Sequence, residues 1–278
     1  MDNSVVSNAM LGKSTSRVRR TMVDILIALT PATVAAIVFG GLQAALIIAV
    51  CVGGALLSEF LFNVICKQKQ TATDLSAVVT GLLLALNLPV GVTLWQCLVG
   101  AVFAIVIVKC AFGGLGRNIV NPAVAAIVML LIAFELSGDA IASFAGREVF
   151  LVTLAIGGVY LLIRRAISWA IPVVYIGGVF LLCFALTGNA MTALGYVLSG
   201  GVVIGAIFMA TDPVTSPKKC LGKIIFALGC AVLTVLITFY GKYPQGAVAF
   251  AILLMNIICP YIDGMFEKKT KTEEVTEA

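Results

Sequence analysis

Ten apolar segments follow one another along this chain, and they constrain its fold more than any other feature. Charged residues make up 11% of the sequence, whereas a soluble domain carries roughly 25%. Segments of this kind predict helices that span a bilayer. The sequence therefore predicts an all-α membrane protein with ten transmembrane helices, at residues 22–39, 42–65, 75–88, 92–111, 119–135, 149–163, 171–187, 193–210, 223–239 and 245–262.

The basic residues predict the orientation of these helices. With the N-terminus inside, all of the 18 lysine and arginine residues except Arg147 and Lys242 fall on the inner side. Loops rich in lysine and arginine stay cytoplasmic. We therefore expect a multi-pass protein of the cell membrane with both termini in the cytoplasm. The asymmetry also accounts for the net charge of +5, so no nucleic-acid partner is needed.

A weak internal repeat divides the chain into two halves. A shift of about 124 residues aligns Gly53-Gly54 with Gly177-Gly178 and Pro89 with Pro213. Each half holds five segments, and an odd number inverts the second half relative to the first. The predicted organisation is a cytoplasmic tail at 1–21, a first five-helix repeat at 22–135, a short extracytoplasmic loop at 136–148, a second repeat at 149–262 and a cytoplasmic tail at 263–278.

One glycine-rich stretch precedes a short apolar segment. Gly113, Gly114 and Gly116 are followed by Asn121, a candidate helix cap, and by Pro122, which suits a first helical turn. The apolar run from Ala123 to Phe134 is shorter than the roughly 20 residues that a bilayer requires. The pattern is typical of a broken transporter helix lining a cavity, and an ordinary transmembrane helix entered from a polar loop is the alternative.

Two further features are candidates for chemistry. The loop from Thr211 to Lys219 combines hydroxyl groups with lysines, which suits a phosphate or a flavin edge; a capped surface turn is the alternative. Glu59 is an acidic residue well inside a segment, where it could stop a proton or a cation, or pair with a lysine near a helix end. Asp24 is expected to be solvated near the inner interface.

The sequence contains no histidine and eight cysteines. The absence of histidine excludes His-ligated metals, haem ligation by histidine and a histidine general base. No Cys-x-x-Cys pair occurs, and most of the cysteines lie within apolar segments, where they behave as small hydrophobic side chains. We therefore predict no metal site.

Five stretches resemble the family that includes the D subunit of the Rnf complex, an ion-translocating ferredoxin:NAD oxidoreductase, and the B subunit of the sodium-pumping NADH:quinone reductase. They run over residues 74–89, 112–123, 164–172, 205–217 and 241–246. The resemblance implies ten helices in two inverted halves with broken or short helices. It also implies electron transfer through flavins, one of them an FMN esterified to a threonine in the outer loop between the fifth and sixth helices.

The outer loop departs from that pattern. Residues 135–148 contain no threonine, and Ala140 stands where the resemblance would place the esterified hydroxyl group. Covalent FMN is therefore not expected. A non-covalent flavin, either riboflavin or FMN, remains compatible with the sequence.

These observations support two functional hypotheses. The first is a membrane subunit of an Rnf-like translocase, coupling electron flow to ion transport beside other membrane subunits in the lipid bilayer, and not an enzyme by itself. The alternative is a stand-alone transporter or channel for a small solute such as a flavin. No catalytic residue is predicted. The candidate flavin-binding residues are Gly113, Gly114, Gly116, Arg117, Asn118, Asn121, Thr211, Asp212 and Thr215, and the candidate ion path is formed by Glu59, Thr80 and Asn87.

Overall fold

The computed structural model describes residues 3–89, 91–114, 116–136, 147–198 and 201–276, without the side chains of residues 3–17, 72, 147 and 267–276. The described chain is built from helices, and each of the ten predicted apolar segments is largely helical. The prediction of an all-α membrane protein is confirmed. The helices are α1 (Asn3–Ile65), α2 (Ser76–Asn87), α3 (Leu94–Val102), α4 (Pro122–Phe134), α5 (Arg147–Ile163), α6 (Ala170–Thr187), α7 (Ala190–Val197), α8 (Gly201–Ile204), α9 (Cys220–Tyr240) and α10 (Ala247–Thr276).

Two of these helices continue as π-helix. Helix α3 runs on through Phe103–Cys110, and α8 runs on through Gly205–Met209. A π-helix widens the turn and breaks the regular hydrogen-bond ladder, and such segments are frequent at functional sites. Both segments end at the side of the molecule that the charge pattern predicts to face the cytoplasm, and we use "inner" as a label for this side and "outer" for the opposite one.

Helix α1 contains the first two predicted segments. Its apolar part, Val18–Ile65, has 48 residues and would extend about 72 Å at 1.5 Å per residue. A bilayer core is only about 30 Å thick. The helix breaks at Gly41, whose φ of 63° and ψ of −155° lie outside the helical region and are readily adopted by glycine. The break falls between the predicted segments 22–39 and 42–65.

The remaining helices differ in length. In the part of the chain that the structure describes, three more are long and apolar enough to cross a membrane, and they lie at Ala170–Thr187, Cys220–Tyr240 and Pro244–Phe266. Helices α7 and α8 with its π-helix form a bent pair, at 56°, that passes the same test together. Shorter apolar helices lie at Ser76–Asn87, Leu94–Cys110, Pro122–Phe134 and Glu148–Ile163. The short helices at Ser76–Asn87 and Pro122–Phe134 and the bent pair fall at segments that the sequence marks as short or interrupted, whereas Leu94–Cys110 and Glu148–Ile163 are short without such a mark.

The glycine-rich stretch forms an irregular loop ahead of α4. Gly113, Gly114 and Gly116 have φ values of 102°, 88° and 92°, which side chains with a Cβ atom rarely adopt. Asn121 then caps α4, because its Oδ1 accepts hydrogen bonds from the backbone N–H groups of Ala123 and Val124. Pro122 occupies the first turn, where its missing N–H has no cost. The predicted cap and helix start are confirmed.

Small residues let the helices of the two halves approach closely. A Cβ atom on Gly157 of α5 would lie 2.4 Å from the carbonyl oxygen of Ala28 in α1. Within the first half, a Cβ atom on Gly81 of α2 would lie 2.7 Å from the carbonyl oxygen of Cys51. Contacts of this kind between backbones are typical of helix packing in membranes.

Asp24 also joins α1 to α5. Its Oδ1 accepts hydrogen bonds from the Tyr160 hydroxyl group at 3.0 Å and from Nε of Arg164 at 3.2 Å. The residue is buried. The expectation that Asp24 is solvated is therefore wrong, because two partners from the second half hold its carboxylate.

Candidate functional site

A buried ion pair lies at the inner end of the first half. Nζ of Lys109, at the end of the first π-helix, is 2.7 Å from Oε1 of Glu59 on α1, and neither residue is more than 2% exposed. The same ammonium group donates to Oγ of Ser76 at 2.6 Å. Of the two interpretations of Glu59 from sequence, the structure shows the pairing with a lysine near a helix end.

Further polar residues complete this group. Ser76 donates to Asp74, Thr71 donates to Oε1 of Glu59, and Asn63 donates to Thr71. We refer to these side chains and the ion pair as the inner polar cluster, which comprises Glu59, Asn63, Thr71, Asp74, Ser76 and Lys109. Breaking a buried pair by removing one partner costs about 3–5 kcal/mol, because a charge is left uncompensated.

One carboxylate oxygen of the cluster has no hydrogen-bond partner. Oε2 of Glu59 is buried and unpaired among the described residues, although Oε1 is bonded twice. Buried polar atoms are nearly always paired, so an unpaired one in a native structure needs an explanation. This unpaired atom distinguishes the cluster from a fully satisfied structural ion pair.

A small cavity adjoins the cluster at the inner end of the molecule. Its volume is about 50 Å³, which is room for about three to five water molecules. It lies between the two halves, and we call it the inner cavity. Its polar lining includes residues predicted from sequence and residues of the cluster: Ser76, Thr80, Lys109, Asn118, Asn121, Thr211 and Asp212.

Asn118 lines this cavity and carries the second unpaired acceptor of the region. The residue is 5% exposed, and its Nδ2 donates to the carbonyl oxygen of Val120 at 3.3 Å. Its Oδ1 has no hydrogen-bond partner among the described residues. The inner cavity is therefore lined by Lys109 and by an asparagine whose amide oxygen has no partner among the described residues.

Asn121 and Asn256 connect the two halves beside the cavity. The backbone N–H of Asn121 donates to Oδ1 of Asn256 at 3.1 Å, and Nδ2 of Asn256 donates to the carbonyl oxygen of Thr215 at 3.1 Å. Nδ2 of Asn121 also donates to the carbonyl oxygen of Met209 at 3.4 Å. These bonds fix the entry of α4 against the loop that follows the second π-helix.

A larger groove opens on the other side of Asn118, and we call it the inner groove. Its volume is about 370 Å³, within the range of roughly 300–1,000 Å³ that is typical of ligand sites. Thr215 contributes to its lining, as do Lys218 and Asn256. Asn118 lines both the groove and the inner cavity.

Asp212 lies in the loop at the edge of the inner cavity. Its carboxylate accepts hydrogen bonds from the backbone N–H of Val214 at 3.0 Å and from the Thr215 hydroxyl group at 3.3 Å. Burial raises the pKa of this carboxyl group, and the two hydrogen bonds oppose that shift. The loop is thus a turn held together by Asp212, and the same residue faces a cavity.

Asn87 lies apart from the other predicted residues. It ends α2 and lines a cavity of about 240 Å³ toward the opposite end of the molecule, which we call the outer cavity. Its Nδ2 donates to the carbonyl oxygen of Leu83 at 2.8 Å. Thr80, on the same helix, lines the inner cavity. Helix α2 therefore connects the two cavities.

Among the described residues of the loop, the three glycines and Arg117 do not line these cavities. Arg117 is exposed, and its side chain folds back over Gly113, where a Cβ atom would lie 3.0 Å from Cδ of Arg117. Gly113, Gly114 and Gly116 are likewise absent from the linings of the inner cavity, the inner groove and the outer cavity. The structure thus brings together Thr80, Asn118, Asn121, Thr211 and Asp212, and separates them from the glycines and Arg117.

Sequence reasoning missed three residues of the site. Lys109 falls among the lysines that mark the inner face, although it lies inside the segment 92–111. A second charge inside a segment is the signal that could have indicated pairing with Glu59. Asn256, an amide within an apolar helix, carries a similar signal, whereas nothing distinguishes Ser76.

The sequence predicts that the protein has no metal site and no covalently bound flavin. Within the described ranges, no three His, Cys, Asp or Glu side chains form a group that could hold a metal ion. Ala140 and residues 137–146 of the outer loop lie outside the described residues. The prediction about covalent FMN rests on the sequence alone.

Comparison with known proteins identifies the relatives of this chain. The profile of the NQR2, RnfD, RnfE family matches residues 5–145 and 135–272. The D subunit of the Na(+)-translocating ferredoxin:NAD(+) oxidoreductase complex of Acetobacterium woodii is 38% identical over 280 residues, covering 87% of each chain. The D subunit of the proton-translocating complex of Clostridium ljungdahlii is 35% identical, covering 88% of this chain and 89% of that protein. The chain therefore belongs to the NQR2, RnfD, RnfE family.

Proposed function

We propose that this chain is a membrane subunit of an Rnf-like complex that couples electron flow to ion transport. The observation that carries the proposal is the family match, which extends over nearly the whole chain, together with relatives named as the D subunits of such complexes. The chain acts as part of a translocase and depends on other membrane subunits. Its place is the cell membrane, with both termini in the cytoplasm, because the basic residues gather at one side.

The ion path follows α2 in this proposal. Glu59 and its partner Lys109 lie at the inner end, Thr80 borders the inner cavity, and Asn87 borders the outer cavity. Between Thr80 and Asn87, α2 consists of the apolar residues Gly81–Leu86, and two cavities separated in this way suit a path that opens to one side at a time. The relatives named above move Na⁺ in one case and protons in the other, so membership of the family does not select the ion.

The inner groove suits a non-covalent flavin, riboflavin or FMN. Its volume of about 370 Å³ suits a ring system, whereas the 50 Å³ inner cavity is too small for one. The unpaired Oδ1 of Asn118 would accept a hydrogen bond from a ring N–H, and the Thr215 hydroxyl group lies in the same lining. A bound flavin would supply one- and two-electron transfer. Thr211 and Asp212 would support this site from the inner cavity.

The proposal that this chain belongs to such a complex can be tested in the cells that produce the protein. A tagged copy should co-purify with other membrane subunits, and deletion of its gene should abolish ferredoxin:NAD oxidoreductase activity in isolated membranes. Restoring the unchanged gene is the control. A chain that purifies alone, from cells whose membranes keep this activity after deletion, would refute the proposal and favour the stand-alone transporter.

The flavin site is tested by the visible absorbance of purified protein. Asn118→Ala should lower the flavin content because Asn118 lines the groove and its amide oxygen has no partner among the described residues. Arg117→Ala is the matched control, since Arg117 is exposed and lines neither the inner cavity nor the inner groove. Equal flavin content in the Asn118 variant and the unchanged protein, or loss only in the Arg117 variant, would contradict this assignment.

A further inference from the structure

Exposed apolar side chains form a stripe on each of two neighbouring helices, α1 and α5. Val23 and Ile27 lie one turn apart on α1, and the stripe on α5 consists, at helical spacing, of Ile156, Val159 and Ile163. All five side chains are exposed, and that of Ile163 is 75% exposed. Exposed apolar surfaces of this kind mark contacts with a membrane or with another protein.

The two helices run antiparallel and contact each other beside these stripes. Asp24 of α1 binds Tyr160 of α5. Four residues further along α1, the carbonyl oxygen of Ala28 meets Gly157. The number of the α5 partner therefore falls as the number of the α1 residue rises. We call this contact the α1–α5 seam.

Both stripes lie on the same side of the seam. The stripe residues directly precede residues of the contact: Val23 precedes Asp24, and Val159 precedes Tyr160. Successive residues of an α-helix are turned by about 100°. In an antiparallel pair, the residues that precede the contact residues therefore point to one common side of the pair.

The opposite side of the seam faces the inner cavity. Ile25 and Leu161, which directly follow two of the contact residues, line that cavity. The side that carries the stripes is turned away from the cavity, and the exposure of Ile27 agrees with this. The stripes thus belong to a surface that faces lipid.

Four exposed arginines lie at the inner end of the seam. Arg19 lies one turn before the stripe of α1, and Arg20 lies one turn before Asp24. Arg164 donates through Nε to Asp24 at 3.2 Å, while its side chain stays 49% exposed. Arg165 follows it at the end of α5. The carboxylate of Asp24 offsets one of these charges, so the two stripes end at a positively charged surface.

A phospholipid of net negative charge complements this surface. Its acyl chains match the two apolar stripes. Its phosphate matches the guanidinium groups, because arginine binds phosphate through paired N–H donors. Basic pockets between transmembrane helices at the cytoplasmic side bind the head groups of anionic lipids. A zwitterionic lipid carries an additional cation, which the arginines would repel.

We infer that the lipid-facing side of the α1–α5 seam binds one anionic phospholipid, with its phosphate at Arg19, Arg20 and Arg164 and its acyl chains along the two stripes. Arg20 belongs to the first half of the chain and Arg164 to the second, so the bound lipid holds the two halves together. The inference does not depend on the proposed complex, the ion path or the flavin.

The test varies the lipid and removes charge from one end of the site. The protein is reconstituted in nanodiscs of phosphatidylcholine with increasing fractions of phosphatidylglycerol, and its unfolding midpoint is measured. The midpoint should rise with phosphatidylglycerol, because a ligand of the native state stabilises that state. Arg19→Gln with Arg20→Gln should lose at least half of this rise. Arg164 is left unchanged because it also holds Asp24.

The matched control is Lys67→Gln with Lys69→Gln. These lysines are exposed just after the inner end of α1, and their replacement removes the same amount of charge. The control should keep the full rise. Equal losses in the two double variants would overturn the inference, because they would indicate a general attraction between basic residues and anionic lipid. An unchanged protein whose midpoint does not respond to phosphatidylglycerol would overturn it as well.

A second measurement identifies what covers this surface in the membranes of the cells that produce the protein. A photoreactive amino acid in place of Ile163 should, after illumination, add the mass of a phospholipid to the chain. An adduct with another protein would overturn the inference and would assign the stripes to a subunit contact. That outcome would leave the proposed complex standing, so the two proposals fail separately.

Discussion

Replacement of Asn256 should destabilise the protein by more than the loss of one hydrogen bond, because its amide group makes two. Asn256→Leu keeps a similar volume but removes both hydrogen bonds that the amide makes, one to Asn121 of the first half and one to Thr215 of its own half. The backbone N–H of Asn121 and the carbonyl of Thr215 are then left without these partners. Each buried group left unpaired costs about 1–3 kcal/mol, so the expected loss is about 2–6 kcal/mol.

Thermal unfolding in lipid nanodiscs measures this loss. With about 2–4 °C of midpoint shift per kcal/mol for chains of 150–250 residues, the expected decrease is roughly 4–24 °C. The matched control is Asn189→Leu, which also removes an amide oxygen that accepts two backbone N–H bonds, but at an exposed helix start. Water replaces the partner there, so the control should lose only about 0.5–2 kcal/mol. Equal midpoints for the two variants would refute the reasoning.

Three further outcomes follow from the structure and the sequence. Gly157→Ala should lower the unfolding midpoint by the equivalent of about 1–3 kcal/mol, because the added Cβ atom would meet the Ala28 carbonyl oxygen. Gly177→Ala is the control and should be neutral or stabilising, because the space around Gly177 is open. Equal effects of the two substitutions would contradict the packing argument. Burial raises the pKa of Asp212 above its ordinary value of 3.8, so ionisation of Asp212 opposes folding. The free energy of unfolding of Asp212→Asn, relative to that of the unchanged protein, should therefore increase as the pH rises from 3.8 through the raised pKa and should then level off. A difference between the two free energies that does not change with pH would contradict this prediction. Because Ala140 replaces the hydroxyl group, protein co-expressed with a flavin transferase should show no fluorescent band on a denaturing gel.

The helices could be predicted from the sequence because their signals are local. Apolar runs, the cap at Asn121 and the proline after it act within a few neighbouring residues, and the structure confirms them. The break at Gly41 falls between two predicted segments for the same reason. The fold class could therefore be predicted from local patterns of composition and backbone conformation.

The site could be predicted only in part, because its contacts join distant segments. Glu59 and Lys109 are separated by 50 positions, and Asn121 and Asn256 by 135. The predicted asparagine and threonine residues meet at the inner cavity, but composition could not show that Arg117 folds away over its own loop. Only the packing of α2, α4 and the π-helices determines which of these polar groups face one another.

The contact between Gly157 and Ala28 has a consequence for how the protein moves. The backbones of α5 and α1 touch there, Asp24 binds Tyr160 and Arg164 nearby, and Asn256 secures the two halves at a further point. A rigid-body displacement of residues 22–135 against residues 149–262 would have to separate these contacts together. Motion is less restricted in the two π-helical turns, whose hydrogen-bond ladders are already irregular. Local rewinding of these turns would leave the contacts between α1 and α5 in place, so a conformational change of this architecture is expected in the π-helical turns before the scaffold separates.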